Sequence, residues 1–144
     1  MHKKNAVINA IQRKKPPTKK EASDFSLTYR LILERVRTGV GDIKDLHALL
    51  AGMEMLYIGV SSSDDLEEKP ATLKQIKHAA SHIVYALDRS RVVLTAAGYE
   101  SCRDAIDLLE TMVASSSVGA IKDIVTLCVS RAARGEFESL LEEA

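Results

Sequence analysis

The sequence predicts an all-α fold, a helical bundle of about five helices, from three observations. Apolar residues recur at steps of three and four through most of the chain. No stretch alternates with period two over a strand length. Ser, Thr and Asp stand where helices begin, and Gly stands where they stop. The chain has 144 residues, 46% of them apolar and 28% charged, which suits one globular domain burying its own core. Aromatics are only 4%, with no Trp, which argues against a platform that stacks single-stranded bases.

Residues 1–22 read as a flexible basic arm and residues 23–144 as a single helical domain. Residues 1–23 hold seven Lys or Arg (Lys3, Lys4, Arg13, Lys14, Lys15, Lys19 and Lys20) against Glu21 alone, a balance of +6. The other 13 basic and 19 acidic side chains leave −6 on the body. Val7, Ile8 and Ile11 suit one side of a short helix, but Pro16 and Pro17 end any helix there.

The first secure helix is expected from Asp24 to Thr38. Ser23 or Asp24 caps it, Leu27, Leu31, Ile32 and Val36 form its apolar stripe, and Gly39 stops it. Asp42 caps the second, whose inward positions are Ile43, Leu46, Leu49, Leu50, Met53, Leu56 and Tyr57. Gly52 within it marks a close helix crossing. The stretch SSSDDLEEKP is a connection, and Pro70 suits the first turn of a long central helix over about 70–97. Its seam runs Leu73, Ile76, Ala80, Ile83, Leu87, Ser90, Leu94, and at 1.5 Å per residue the whole helix spans about 42 Å.

Gly98 closes that helix. Ser101 with Asp104 starts a fourth, and Ser117 caps a fifth on Ile121, Ile124, Val125, Cys128 and Val129. Phe137, Leu140 and Leu141 suggest a short final turn that folds back.

Little chemistry is written in these residues. Cys102 and Cys128 sit in apolar stretches without metal-ligand spacing, and read as buried free thiols. His78 and His82 are four apart on one helix, but Ala79 stands where a zinc protease carries its Glu, and no third ligand is evident. Gly39-x-Gly41 joins two helices, whereas a nucleotide cradle follows a strand. No catalytic constellation is present, so no enzyme, metal or cofactor is expected. The chain shows no charged leader followed by an apolar run, and no segment near the ~20 apolar residues of a membrane span. A cytoplasmic protein without membrane contact is the expectation.

The segment RTGVGDIKDLHALLAGMEML and the ending AIDLLETM…RAARGEFESLLEEA resemble small α-helical proteins of proteobacterial phages and plasmids. The likeness covers roughly residues 30–58 and 100–144 and rests mostly on caps and helix stops. It implies a mobile-element setting and no particular activity.

Two functions are expected from these features. In the first, the chain is a non-enzymatic helical adaptor, an accessory protein of a phage or plasmid, binding a protein partner or a second copy through Leu73, Ile76, Ile83, Leu87 and Leu94. In the second, it is a nucleic-acid-associated accessory or regulatory protein, with Arg13, Lys14, Lys15, Lys19 and Lys20 as a phosphate clamp. Arg30, Arg35 and Arg37 make the first helix the nearest approach to a recognition helix, although Glu34 and its apolar stripe suit packing equally.

Overall fold

The computed structural model describes residues 14–63 and 68–134. Arg13 and Phe137, Leu140 and Leu141 lie outside the described residues. The described residues form five helices and no strand: α1 (Lys19–Arg37), α2 (Ile43–Ser61), α3 (Lys69–Asp88), α4 (Ala96–Ser115) and α5 (Val118–Ala133).

Each of the first four helices runs opposite to its chain neighbour. Tyr29 meets Gly52 and Met55, while Arg35 meets Asp45, so α1 and α2 are antiparallel. Lys69 reaches back to the Ser61 carbonyl, and the Cys102 thiol faces the Ala79 carbonyl across α3 and α4. Arg30 reaches Asp107 and Ser26 reaches Glu110, which closes the ring from α4 to α1. The result is an up-down bundle, with α5 laid against α2. Its core is Leu46, Leu49, Met53 and Leu56 of α2, Ile76 and Ile83 of α3, and Ile106 and Leu109 of α4.

The helix starts follow local chemistry. Thr18 caps α1 in a reciprocal box with Glu21, and Asp42 caps α2 in one with Asp45. Helix α1 therefore begins at Lys19, five residues before the expected Asp24, and includes the end of the expected arm. Its buried face also differs from the expected stripe. Ala22, Ser26, Ile32, Leu33 and Val36 turn inward, while Leu27 and Leu31 stay 46% and 53% exposed. Gly52 does mark a close crossing: a Cβ there would lie 2.7 Å from the Tyr29 ring.

The long central helix over 70–97 is not formed. Helix α3 ends at Asp88, and Ser90 turns into the left-handed region at φ 50°. The Ser90 and Arg91 amides then donate back to the carbonyls of Leu87 and Ala86. After a short link the Thr95 hydroxyl accepts from the Gly98 amide, opening α4 at Ala96. Gly98 thus lies in the first turn of a helix instead of closing one. The periodicity continues across the break because Leu94 packs on the same core from the link. Further on, Ser116 is extended and Ser117 caps α5, so the last two described helices are separate.

Candidate functional site

The seam proposed as a partner face is interior. Ile76 and Ile83 have no exposed surface and Ala80 almost none, while Leu73, Leu87 and Leu94 are half-buried against the same core. Helices α2 and α4 of the same chain cover them, so Ile76 and Ile83 cannot reach a partner in this fold.

The arm residues are placed differently. Lys14, Lys15, Lys19 and Lys20 are all exposed. The Lys15 carbonyl accepts from the Val118 amide at 2.9 Å, which ties the approach to α1 onto the start of α5. Lys19 and Lys20 stand in the first turn of α1, where exposed amides already carry partial positive charge.

The three arginines of α1 are engaged in pairs. Arg30 meets Asp107 at 2.7 Å, Arg35 grips Asp45 through two nitrogens, and Arg37 pairs with Glu34. The hydrogen bonds to Arg35, with one from the Asp42 amide, hold the Asp45 carboxyl below its ordinary value. These arginines join α1 to α4 and α2, and are not presented as a recognition surface.

The outer face of α3 is the counterpart that α1 lacks. Lys74, His78, Ser81, Tyr85 and Arg89 are exposed at steps of four and three, with Gln75 beside them. From Lys69 to Leu87 this helix contains no Asp or Glu. A shallow groove of about 820 Å³ runs along its first half, lined by Tyr57, Lys74, Lys77, His78 and Ser81. A smaller one of about 270 Å³ flanks its second half, lined by His82, Tyr85, Arg89, Arg91 and Thr95. The Lys77 ammonium lies 5.6 Å from the Tyr57 ring centre, and the Arg89 guanidinium lies 3.4 Å over Tyr85. No described carboxylate pairs with Lys74 or Arg91. Asp64, Asp65, Glu67 and Glu68 precede the helix in sequence, so the cationic face begins after an acidic run.

A second polar feature lies under α5. Glu54 of α2 is 1% exposed, and its Oε1 accepts from Arg131 Nε at 2.6 Å. Its Oε2 has no hydrogen-bond partner among the described residues. Cys128 is adjacent, and burial together with the Glu54 charge pushes its thiol up to about 11. Burial alone pushes Cys102 up to about 12. Thiols held so far above neutral pH are poor nucleophiles, and both cysteines are buried and unbridged. Burial likewise raises the Tyr29 hydroxyl. Among the described residues no three His, Cys, Asp or Glu side chains gather into a metal cluster, and no helix is long and apolar enough to cross a membrane.

Sequence reasoning missed the α3 face because it tallied charge over the whole body. The missing signal was local: an acid-free run between Lys69 and Leu87 on a helix whose inner seam was already recognised. No family model, curated protein or solved structure matches the chain.

Proposed function

We propose that this chain is a non-enzymatic helical binding protein that engages nucleic acid through its phosphates, as an accessory protein of a phage or plasmid. The observation that carries this reading is the outer face of α3, free of acids from Lys69 to Leu87 and ending at the exposed Asp88, with Lys74 exposed on it, Arg89 exposed just past its end, and Lys77 and Arg91 at its flanks. Cations spaced along one face can each neutralise a phosphate and release counterions. Lys14, Lys15, Lys19 and Lys20 add a second group of cations. Asp45, Asp107 and Glu34 are paired with arginines of α1 and stand on helices other than α3, so these carboxylates do not belong to the α3 face.

A duplex DNA column run with a salt gradient tests the proposal. Lys74→Glu with Arg89→Glu, and separately Lys14→Ala with Lys15→Ala, are expected to elute at lower salt than the native chain. Each lost phosphate contact lowers the salt slope by about one. These point variants leave the Thr18–Glu21 cap intact, whereas removal of residues 1–22 would cut into α1. Unchanged elution of both variants rejects the reading.

A protein-binding role is favoured by a different observation. Helix α5 buries only Gly119 and Cys128, while Leu127 and Val129 remain 43% and 64% exposed. In that reading a protein partner or a second copy covers α5 in place of the seam on α3. Light scattering of the native chain and of Leu127→Lys with Val129→Lys separates the cases, since loss of a native dimer in the variant supports self-association.

A further inference from the structure

His78 and His82 lie one turn apart on the outer face of α3, with their Nε2 atoms 3.4 Å from each other. A cation with Zn–N bonds of 2.0–2.1 Å and tetrahedral angles separates its two nitrogen ligands by about 3.3–3.4 Å. The pair therefore already has the bite of a shared metal ion. In the bare chain one Nε2–H donates to the other ring, and a cation takes the place of that proton once the donor ring carries it on Nδ1 instead.

The pair is also held in position. The His82 ring packs against the first turn of α4, where a Cβ on Gly98 would come within 3.1 Å of its Nδ1. The two rings meet edge to face, with centres 4.8 Å apart. His78 is exposed and stands at the groove that also holds Lys74 and Lys77.

We infer that His78 and His82 form a two-imidazole site for a late first-row divalent cation, of the class Cu²⁺, Ni²⁺ and Zn²⁺. Imidazole nitrogen selects these ions over Mg²⁺ and Ca²⁺, which require oxygen donors. With two protein ligands, the remaining positions belong to water or to a donor brought by whatever occupies the α3 face. Lys74 and Lys77 line the groove with His78, and Arg89 lines the one with His82; their charge weakens any divalent cation alike, and the affinity series for nitrogen donors puts Cu²⁺ first.

The site is independent of the nucleic-acid reading, so the test contains no nucleic acid. Calorimetric titration of the full chain with Cu²⁺, Ni²⁺, Zn²⁺ and Mg²⁺ is compared with the same titrations of His78→Ala and His82→Ala. Expected are one bound Cu²⁺ or Ni²⁺ at this site, no Mg²⁺, and loss of that event in each variant. The paramagnetic resonance of the Cu²⁺ complex should carry coupling to two nitrogens. Far-UV dichroism identical to the native chain shows that each variant is folded. His2 and His47 remain in both variants, so binding that persists in them undiminished overturns the assignment. A native chain that takes up none of the three ions overturns it equally.

Discussion

Glu54 is surrounded by apolar neighbours in the middle of α2, and Arg131 is the cation that makes its charge tolerable there. With Oε2 unpartnered among the described residues, removing the guanidinium takes away the cation that the described residues set against a buried carboxylate. Arg131→Met is expected to destabilise the chain by about 3 kcal/mol in urea unfolding. The double change Glu54→Leu with Arg131→Met should recover most of that loss, because a buried pair replaced by apolar groups of similar volume is often neutral. Asp45 shows the same chemistry nearer the surface. Its carboxyl is held below the ordinary value of 3.8 by Arg35, so the stabilisation it contributes is present above that value and fades as pH falls through its own lower one. Asp45→Asn should therefore lower the Tm at neutral pH, and the gap from the native chain should close in strong acid.

At the scale of elements, start signals were more legible than stops. Asp42, Ser117 and Pro70 act where the sequence places them, because a cap is a contact within one turn. Thr18 was overlooked since the lysines after it read as an arm, although Thr18-x-x-Glu21 is a complete capping box. Thr18→Ala is expected to cost about 1 kcal/mol and to fray the first turn of α1, seen as faster amide exchange over Lys19–Ala22. The break after Asp88 was not legible. It relies on Ser90 at positive φ, a conformation ordinarily signalled by Gly or Asn. The seam continued into Leu94, so periodicity alone described two packed segments as one helix.

For the molecule as a whole, arithmetic on charge misled where geometry informs. A +6 arm against a −6 body suggests a single basic feature. The fold instead pairs the α1 arginines with acids of α1, α2 and α4, and leaves Lys74 of α3 and Arg89 and Arg91 just beyond it exposed. The expected elution of Lys74→Glu with Arg89→Glu on DNA belongs to this scale, because it depends on the assembled field of one face. Adhesive surface is likewise redistributed. The seam of α3 closes the core, and incompletely covered apolar residues lie on α1, at Leu27 and Leu31, and on α5, at Leu127 and Val129.

By itself the sequence determined the all-α class, the number of described helices, the caps at Asp42 and Ser117 and the close crossing at Gly52, whereas α1 and α4 are capped by Thr18 and Thr95 in place of the expected Ser23 or Asp24 and Ser101. These follow from interactions within a turn, or from a periodicity that one helix carries alone. The inward sides of α2 and α3 were legible too, whereas only the tertiary structure decided which side of α1 is inside. Leu27 and Leu31 face solvent while Ser26 is buried, because Glu110 of α4 supplies the hydrogen bond that makes a buried hydroxyl acceptable. Only the tertiary structure, too, ended α3 at Asp88 and set the outer face of that helix apart from its seam. The seam is set apart by the helices packed on it, partners distant in the chain, and Leu94 returns to the same core beyond the break.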